Sequence, residues 1–154
     1  MFSMFKKKSQ STICSPADGQ LIPLSEVSDP VFSQGMMGPG FAVEPASDDI
    51  YSPVTGIVTS VFPTKHAIGL EMSDGKEVLI HIGIDTVELQ GQGFDILVSE
   101  PNKVTPETKL AVVDRDYLKS QGKDSTIMVL FPGAADTYSI QSKSVEASEE
   151  ITFK

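Results

Sequence analysis

Two histidines, one cysteine and no tryptophan in 154 residues leave little material for metal or disulfide chemistry. A lone Cys14 can build neither a disulfide framework nor a thiolate cluster. Two histidines without a third nitrogen, a sulfur or a nearby carboxylate on the same face make a poor zinc site, so no metal and no cofactor is expected. No apolar run approaches the roughly 20 residues of a membrane span. The long apolar stretch of a signal peptide is missing as well, and a cytoplasmic location is the expectation. Basic residues are also scarce: 12 Lys and Arg stand against 21 Asp and Glu, a formal charge of −9. That balance argues against the basic footprint of a nucleic-acid binder and favours partners with positive surfaces.

Apolar helical periodicity is nearly absent. In its place Val, Ile and Thr recur in short runs cut by Gly, Pro, Asp and Ser, which is the pattern of an all-β chain. Only "DRDYLKSQG" offers a helical turn or two, with Asp114 as cap and Gly122 as stop. "SPADGQLI" (Ser15 to Ile22) and "SPVTGIVT" (Ser52 to Thr59) share Ser-Pro-x-x-Gly at a spacing of 37. Each copy is followed by a similar strand, "GFAVEP" and then "AIGLEM". Ser-Pro-x-x-Gly is also common turn chemistry, but a duplicated β unit packed face to face would give an antiparallel sandwich or flattened barrel. Length suits one domain, assigned to residues 14–154. The preceding "MFSMFKKKSQSTI", residues 1–13, is read as a flexible tail, able at most to touch an anionic membrane weakly.

Both histidines lie within "HAIGLEMSDGKEVLIHIGID", on either side of one turn. Asp74-Gly75 is a strong two-residue hairpin signal. If those residues are the loop, Leu70 faces Leu79, Ile68 faces His81 and His66 faces Gly83. His66 and His81 then share a face as diagonal neighbours, with Cα atoms about 7 to 8 Å apart. A three-residue loop would shift the register and put the rings on opposite faces. Val78, Ile80, Ile82 and Ile84 form a core stripe on the other face, while Ile68, Leu70 and Leu79 surround the histidines in a shallow apolar dish. No local signature supports a Ser or Cys nucleophile, and Cys14 sits near a flexible end. Two imidazoles alone suffice for phosphoryl carriage: one neutral nitrogen attacks phosphorus while the other ring steadies the phosphoryl oxygens.

"VLIHIGIDTVELQGQGF" (Val78 to Phe94) closely resembles the active-site signature of the glucose-type enzyme IIA family of the bacterial phosphoenolpyruvate-dependent sugar phosphotransferase system. The resemblance extends to "PTKHAIGLE" around His66, to "DPVFSQGMMGPGFAVEP" from Asp29, and to "YSPVTGIV" from Tyr51, covering most of residues 14–131. It implies an antiparallel β-sandwich with a duplicated motif, in agreement with the repeat. It also implies a relay that takes phosphate from the histidine-containing phosphocarrier protein and passes it to a cysteine of enzyme IIB of a sugar permease. Carried over position by position, His81 becomes the phosphorylated residue, attacking through Nε2 while the Gly83 or a neighbouring carbonyl holds Nδ1–H. His66 becomes the supporting histidine and Thr64 the hydroxyl that orients the rings. Asp29 and Asp85 become receivers for an arginine of the phosphocarrier. Val31, Phe32, Met37, Phe62, Ile68 and Leu79 become the apolar docking surface, although relatives can carry other apolar residues at Met37, Ile68 and Leu79. Two other functions are compatible with a histidine pair on such a sandwich: a regulatory binding module switched by His81 phosphorylation, and a metal-dependent hydrolase, for which "LIHIGID" lacks the His-x-His pattern.

Overall fold

Why short β-branched runs become strands here is visible in how each is flanked. In the computed structural model, which describes residues 12–134 and 139–152, strands end at Gly, Pro, Asp or Ser turns and three of them begin at glycines that admit a facing backbone. The strands are β1 (Gly19–Pro23), β2 (Gly40–Pro45), β3 (Asp49–Tyr51), β4 (Gly56–Val61), β5 (Ala67–Met72), β6 (Glu77–Ile84), β7 (Phe94–Ile96), β8 (Lys103–Val104), β9 (Lys109–Val113), β10 (Asp124–Leu130) and β11 (Lys143–Val145). Two short helices accompany them, α1 (Pro30–Ser33) and α2 (Arg115–Ser120). Asp114 caps α2, its carboxylate accepting from the Tyr117 amide at 3.0 Å, as the sequence predicts. The α1 turn is not anticipated by periodicity: Asp29 caps it at the Val31 amide, 2.9 Å, with Pro30 in its first turn.

An eight-stranded sheet has the order β11-β1-β2-β10-β6-β5-β4-β8, a three-stranded sheet the order β3-β9-β7, and every pairing is antiparallel. The sheets stay open, so the fold is the sandwich of the two shapes expected. The larger sheet's order is a palindrome of the duplication: β1 answers β4, β2 answers β5, β11 answers β8, and β10 meets β6 at the centre. The repeat is the same down to single bonds. Ser15 Oγ donates to the Ala17 carbonyl at 2.7 Å and Ser52 Oγ to the Val54 carbonyl at 2.6 Å, both serines fully buried. The corners then grip each other reciprocally, the Cys14 amide donating to Pro53 O and the Tyr51 amide to Pro16 O, each at 2.7 Å.

Between the sheets lies the main core, with Phe41, Val43, Ile68, Leu70, Ile80 and Ile82 from one side meeting Ile50, Leu110 and Val113 from the other. A second apolar cluster occupies the outer face of the large sheet. There Leu24, Val27 and Phe32, from the segment joining β1 to β2, cover Ile22, Ala42, Ile84, Met128 and Leu130. That segment covers one half of the outer face, and the histidines stand at its border.

The expected tail boundary shifts. Residues 1–11, and with them the proposed membrane contact, lie outside the described residues, but Ile13 belongs to the main core and its carbonyl accepts from the Ile151 amide at 2.8 Å. Cys14 is buried rather than near a loose end, in an antiparallel bridge with Glu150, and burial pushes its thiol up to about 11. No described helix is long and apolar enough to cross a membrane.

Candidate functional site

The hairpin turn differs from the two-residue loop expected. Met72 donates to the Lys76 carbonyl at 2.9 Å, leaving the three residues Ser73, Asp74 and Gly75 as the loop, with Gly75 at φ 89°. The register follows: Ala67 faces His81, Ile68 faces Ile80 and Leu70 faces Val78. By strict alternation this would part the rings. They nevertheless meet, with centroids 5.0 Å apart and planes at 76°.

Two local departures explain the meeting. His66 precedes β5 and follows Lys65, whose left-handed φ of 63° breaks the alternation before the strand begins. The turn places Thr64 Oγ1 2.7 Å from His66 Nδ1. Small Ala67, directly opposite His81, leaves room beside it for the His66 ring. On the other side, Gly83 adopts φ 81° at a bulge where β6 meets β10 between Ile82↔Ile127 and Ile84↔Asp124. The bulge turns the Gly83 carbonyl onto His81 Nδ1 at 2.9 Å. It also moves Ile84 out of the expected core stripe and into the second cluster.

The hydrogen bonds set the protons. A carbonyl only accepts, so Nδ1 of neutral His81 carries the hydrogen and Nε2 is bare. Burial disfavours the imidazolium, as does the like charge of His66, against weaker support from the Gly83 carbonyl and Asp29, and together they lower the His81 pKa to about 4. His66 is 8% exposed and is lowered in the same direction by burial. Two neutral imidazoles side by side, one with a free in-plane lone pair, make a nitrogen nucleophile with a neighbouring polar ring.

Phe32 is buried, its ring 4.8 Å from that of His81, and it walls the site rather than offering a docking surface. Phe62 stands edge-on to His66 at 5.6 Å and is exposed, as are Val31 and Met37. Leu79 is half-buried on the His81 face and, with Phe62 and Gly69, lines an adjoining depression of about 300 Å³. Ile68 does not join them. It is 0% exposed in the core between the sheets, because the one-residue register shift sends it, and Leu70, through the sheet. Asp29 spends one carboxylate oxygen on the α1 cap, while Asp85 is exposed, in a left-handed conformation, and caps nothing. Met36, 70% exposed beside Met37, and Val87, exposed on the turn after Asp85, are further exposed apolar side chains in these segments, and turn residues leave no periodic signal to mark them. Among the described residues no group of three His, Cys, Asp or Glu is placed to hold a metal ion.

Comparison with known proteins adds a family. The family model described as phosphoenolpyruvate-dependent sugar phosphotransferase system, EIIA 1, matches residues 11–137. The chain is 38% identical over 135 residues to the PTS system glucose-specific EIIA component of Staphylococcus epidermidis, covering 88% of this chain and 81% of that protein. It is 50% identical over 119 residues to the PTS system glucose-specific EIICBA component of Streptococcus pneumoniae, covering 77% of this chain but only 16% of the relative's length. The solved glucose permease IIA from Mycoplasma capricolum superposes with a TM-score of 0.80 at 36% identity, covering 91% of this chain and 92% of that one.

Proposed function

Because the chain belongs to the EIIA 1 family of the phosphoenolpyruvate-dependent sugar phosphotransferase system, and is thus a phosphotransferase component of it, we propose that the phosphoryl group is carried on His81 Nε2. The observation that supports this reading is the Gly83 carbonyl on His81 Nδ1, which leaves a neutral ring with its nucleophilic nitrogen bare. The donor is the histidine-containing phosphocarrier protein. The His81 Nε2 lone pair attacks phosphorus, a new P–N bond forms, and the donor's P–N bond breaks with its electron pair returning to the donor imidazole. In the onward step a cysteine thiolate of enzyme IIB in a sugar permease attacks the same phosphorus, and the electron pair of the breaking bond returns to Nε2.

His66 supports the exchange as a hydrogen-bond donor. With the Thr64 hydroxyl donating to Nδ1, the His66 Nε2 carries the hydrogen and steadies the phosphoryl oxygens as they pass through the in-line geometry. Val31, Met37, Phe62 and Leu79, with Met36 and Val87, form the surface against which both partners seat, and Asp29 and Asp85 attract basic groups at its edge. These events belong in the cytoplasm. Incubation with phosphoenolpyruvate, enzyme I and phosphocarrier, read by intact mass, is expected to add one phosphoryl group to the wild type and none to His81→Ala. Retained phosphorylation of that variant removes His81 from the role.

A further inference from the structure

Thr86 has no part in the reaction described so far, yet it is the only fully buried polar side chain beside the bulge that aims the Gly83 carbonyl, among the described residues. It opens the turn Thr86–Leu89 just after left-handed Asp85. Its hydroxyl donates to the Ile82 carbonyl, which belongs to the peptide immediately before Gly83. Its methyl group lies over the other side of the same residue: a Cβ built on Gly83 would meet Thr86 Cγ2 at 2.4 Å and the Asp124 carbonyl at 2.7 Å. Gly83 is therefore held on the Ile82 peptide by a hydrogen bond and across its Cα by a methyl and a facing strand. A glycine at φ 81° has wide conformational freedom when left alone. Here that freedom is removed at the residue whose carbonyl selects the His81 tautomer.

We propose that Thr86 is a positioning residue for phosphoryl transfer: it locks the Ile82–Gly83 peptide so that the Gly83 carbonyl stays on His81 Nδ1 and Nε2 stays bare. The inference rests on the reading of His81 Nε2 as the phosphoryl acceptor. In this arrangement the hydroxyl and the methyl have separate tasks. The hydroxyl orients the peptide plane, and the methyl fills the space over Gly83. Valine keeps the shape without the hydroxyl, and serine keeps the hydroxyl without the methyl.

The test uses the full chain labelled with ¹⁵N-histidine, whose ring nitrogens report the tautomer directly by long-range ¹H–¹⁵N correlation. Wild type is expected to show His81 protonated at Nδ1. Thr86→Val is expected to give a mixture of tautomers at His81 and to slow phosphate acceptance by roughly tenfold, the worth of one ordinary hydrogen bond. Thr86→Ser is expected to restore the wild-type tautomer and most of the rate. Melting temperatures of both variants separate this from general loosening, because the tautomer should follow the hydroxyl and not the stability. A wild-type tautomer and rate in Thr86→Val overturns the proposal, as does an equal loss in Thr86→Ser. Peptide mapping of the phosphorylated wild type keeps the premise separate: phosphate found elsewhere than His81 refutes the acceptor assignment, whatever the tautomer of the variants.

Discussion

His81 and His66 influence each other's charge, and the sign of that influence is measurable. Burial first, then the charge of His66, lower the His81 pKa from 6.5 to about 4. Between those values the unfolded chain takes up a proton that the folded ring refuses. Stability is therefore full above about pH 6.5 and declines as pH falls toward 4, by up to roughly 3 kcal/mol for this ring. Burial lowers His66 too, so its contribution has the same sign. A histidine NMR titration is expected to show His81 unchanged from pH 8 to 5 and a higher midpoint in His66→Gln, where the neighbouring positive charge is gone. The same variant should slow onward transfer by about 10² to 10³, the worth of one transition-state hydrogen bond, while acceptance is at least partly preserved. A wild-type His81 midpoint near 6.5 means that the ring is solvated and its neutrality is not built in. At this scale the sequence was informative about identity, because His66, His81 and Thr64 are brought together. The family resemblance narrowed the partner of Nδ1 to the Gly83 or a neighbouring carbonyl, but the sequence carried no signal for the backbone angles that aim it.

The bulge of β10 opposite Gly83 and the turn before β5 are the elements that make the site, and both rest on positive φ angles, at Gly83 and Lys65. Gly83 and Gly75 stand at φ 81° and 89°, yet a Cβ meets nothing within 4 Å at Gly75 and is crowded at Gly83. Gly75→Ala should cost about 1 to 2 kcal/mol in urea unfolding, the backbone term alone. Gly83→Ala should cost more and also abolish acceptance, because the carbonyl must move off His81. Equal losses in stability and unimpaired acceptance by both variants contradict the account of the bulge. These elements also mark where sequence reading failed. Asp74-Gly75 suits a two-residue loop and equally a three-residue loop with glycine in the left-handed position, so composition does not choose between registers. The rings meet although the expected register, Ile68 opposite His81, is replaced by Ala67 opposite His81, because Lys65 interrupts the alternation before β5 begins. Ile68 was misplaced by the same one-residue slip, because period-two patterns convert any register error into a change of face.

Across the whole molecule, charge and duplication are the properties that sequence displayed best. The Ser-Pro-x-x-Gly repeat foretold the matching corners and both following strands, β2 and β5, because each copy needs the same serine bond and the same close glycine. The cover over half the outer face was illegible, since the residues joining β1 to β2 have no periodicity and acquire their place only by packing. The charge of −9 should steer a basic phosphocarrier, and its effect should be local to the site. Asp85→Asn is expected to weaken binding and transfer more than Asp114→Asn, an equal change at a helix cap that asparagine fills as well as aspartate. Rising salt should narrow that gap. Stopped-flow rates that do not distinguish the two at low salt remove Asp85 from docking. Ile13 and Ile151 are hydrogen-bonded neighbours, and Cys14 bridges Glu150. A polypeptide that enters this fold leaves it at the same spot. Splicing the unit into a surface loop of a host protein would therefore stretch neither party and add little loop-closure entropy, and joining the two ends to open the chain elsewhere would be equally undemanding.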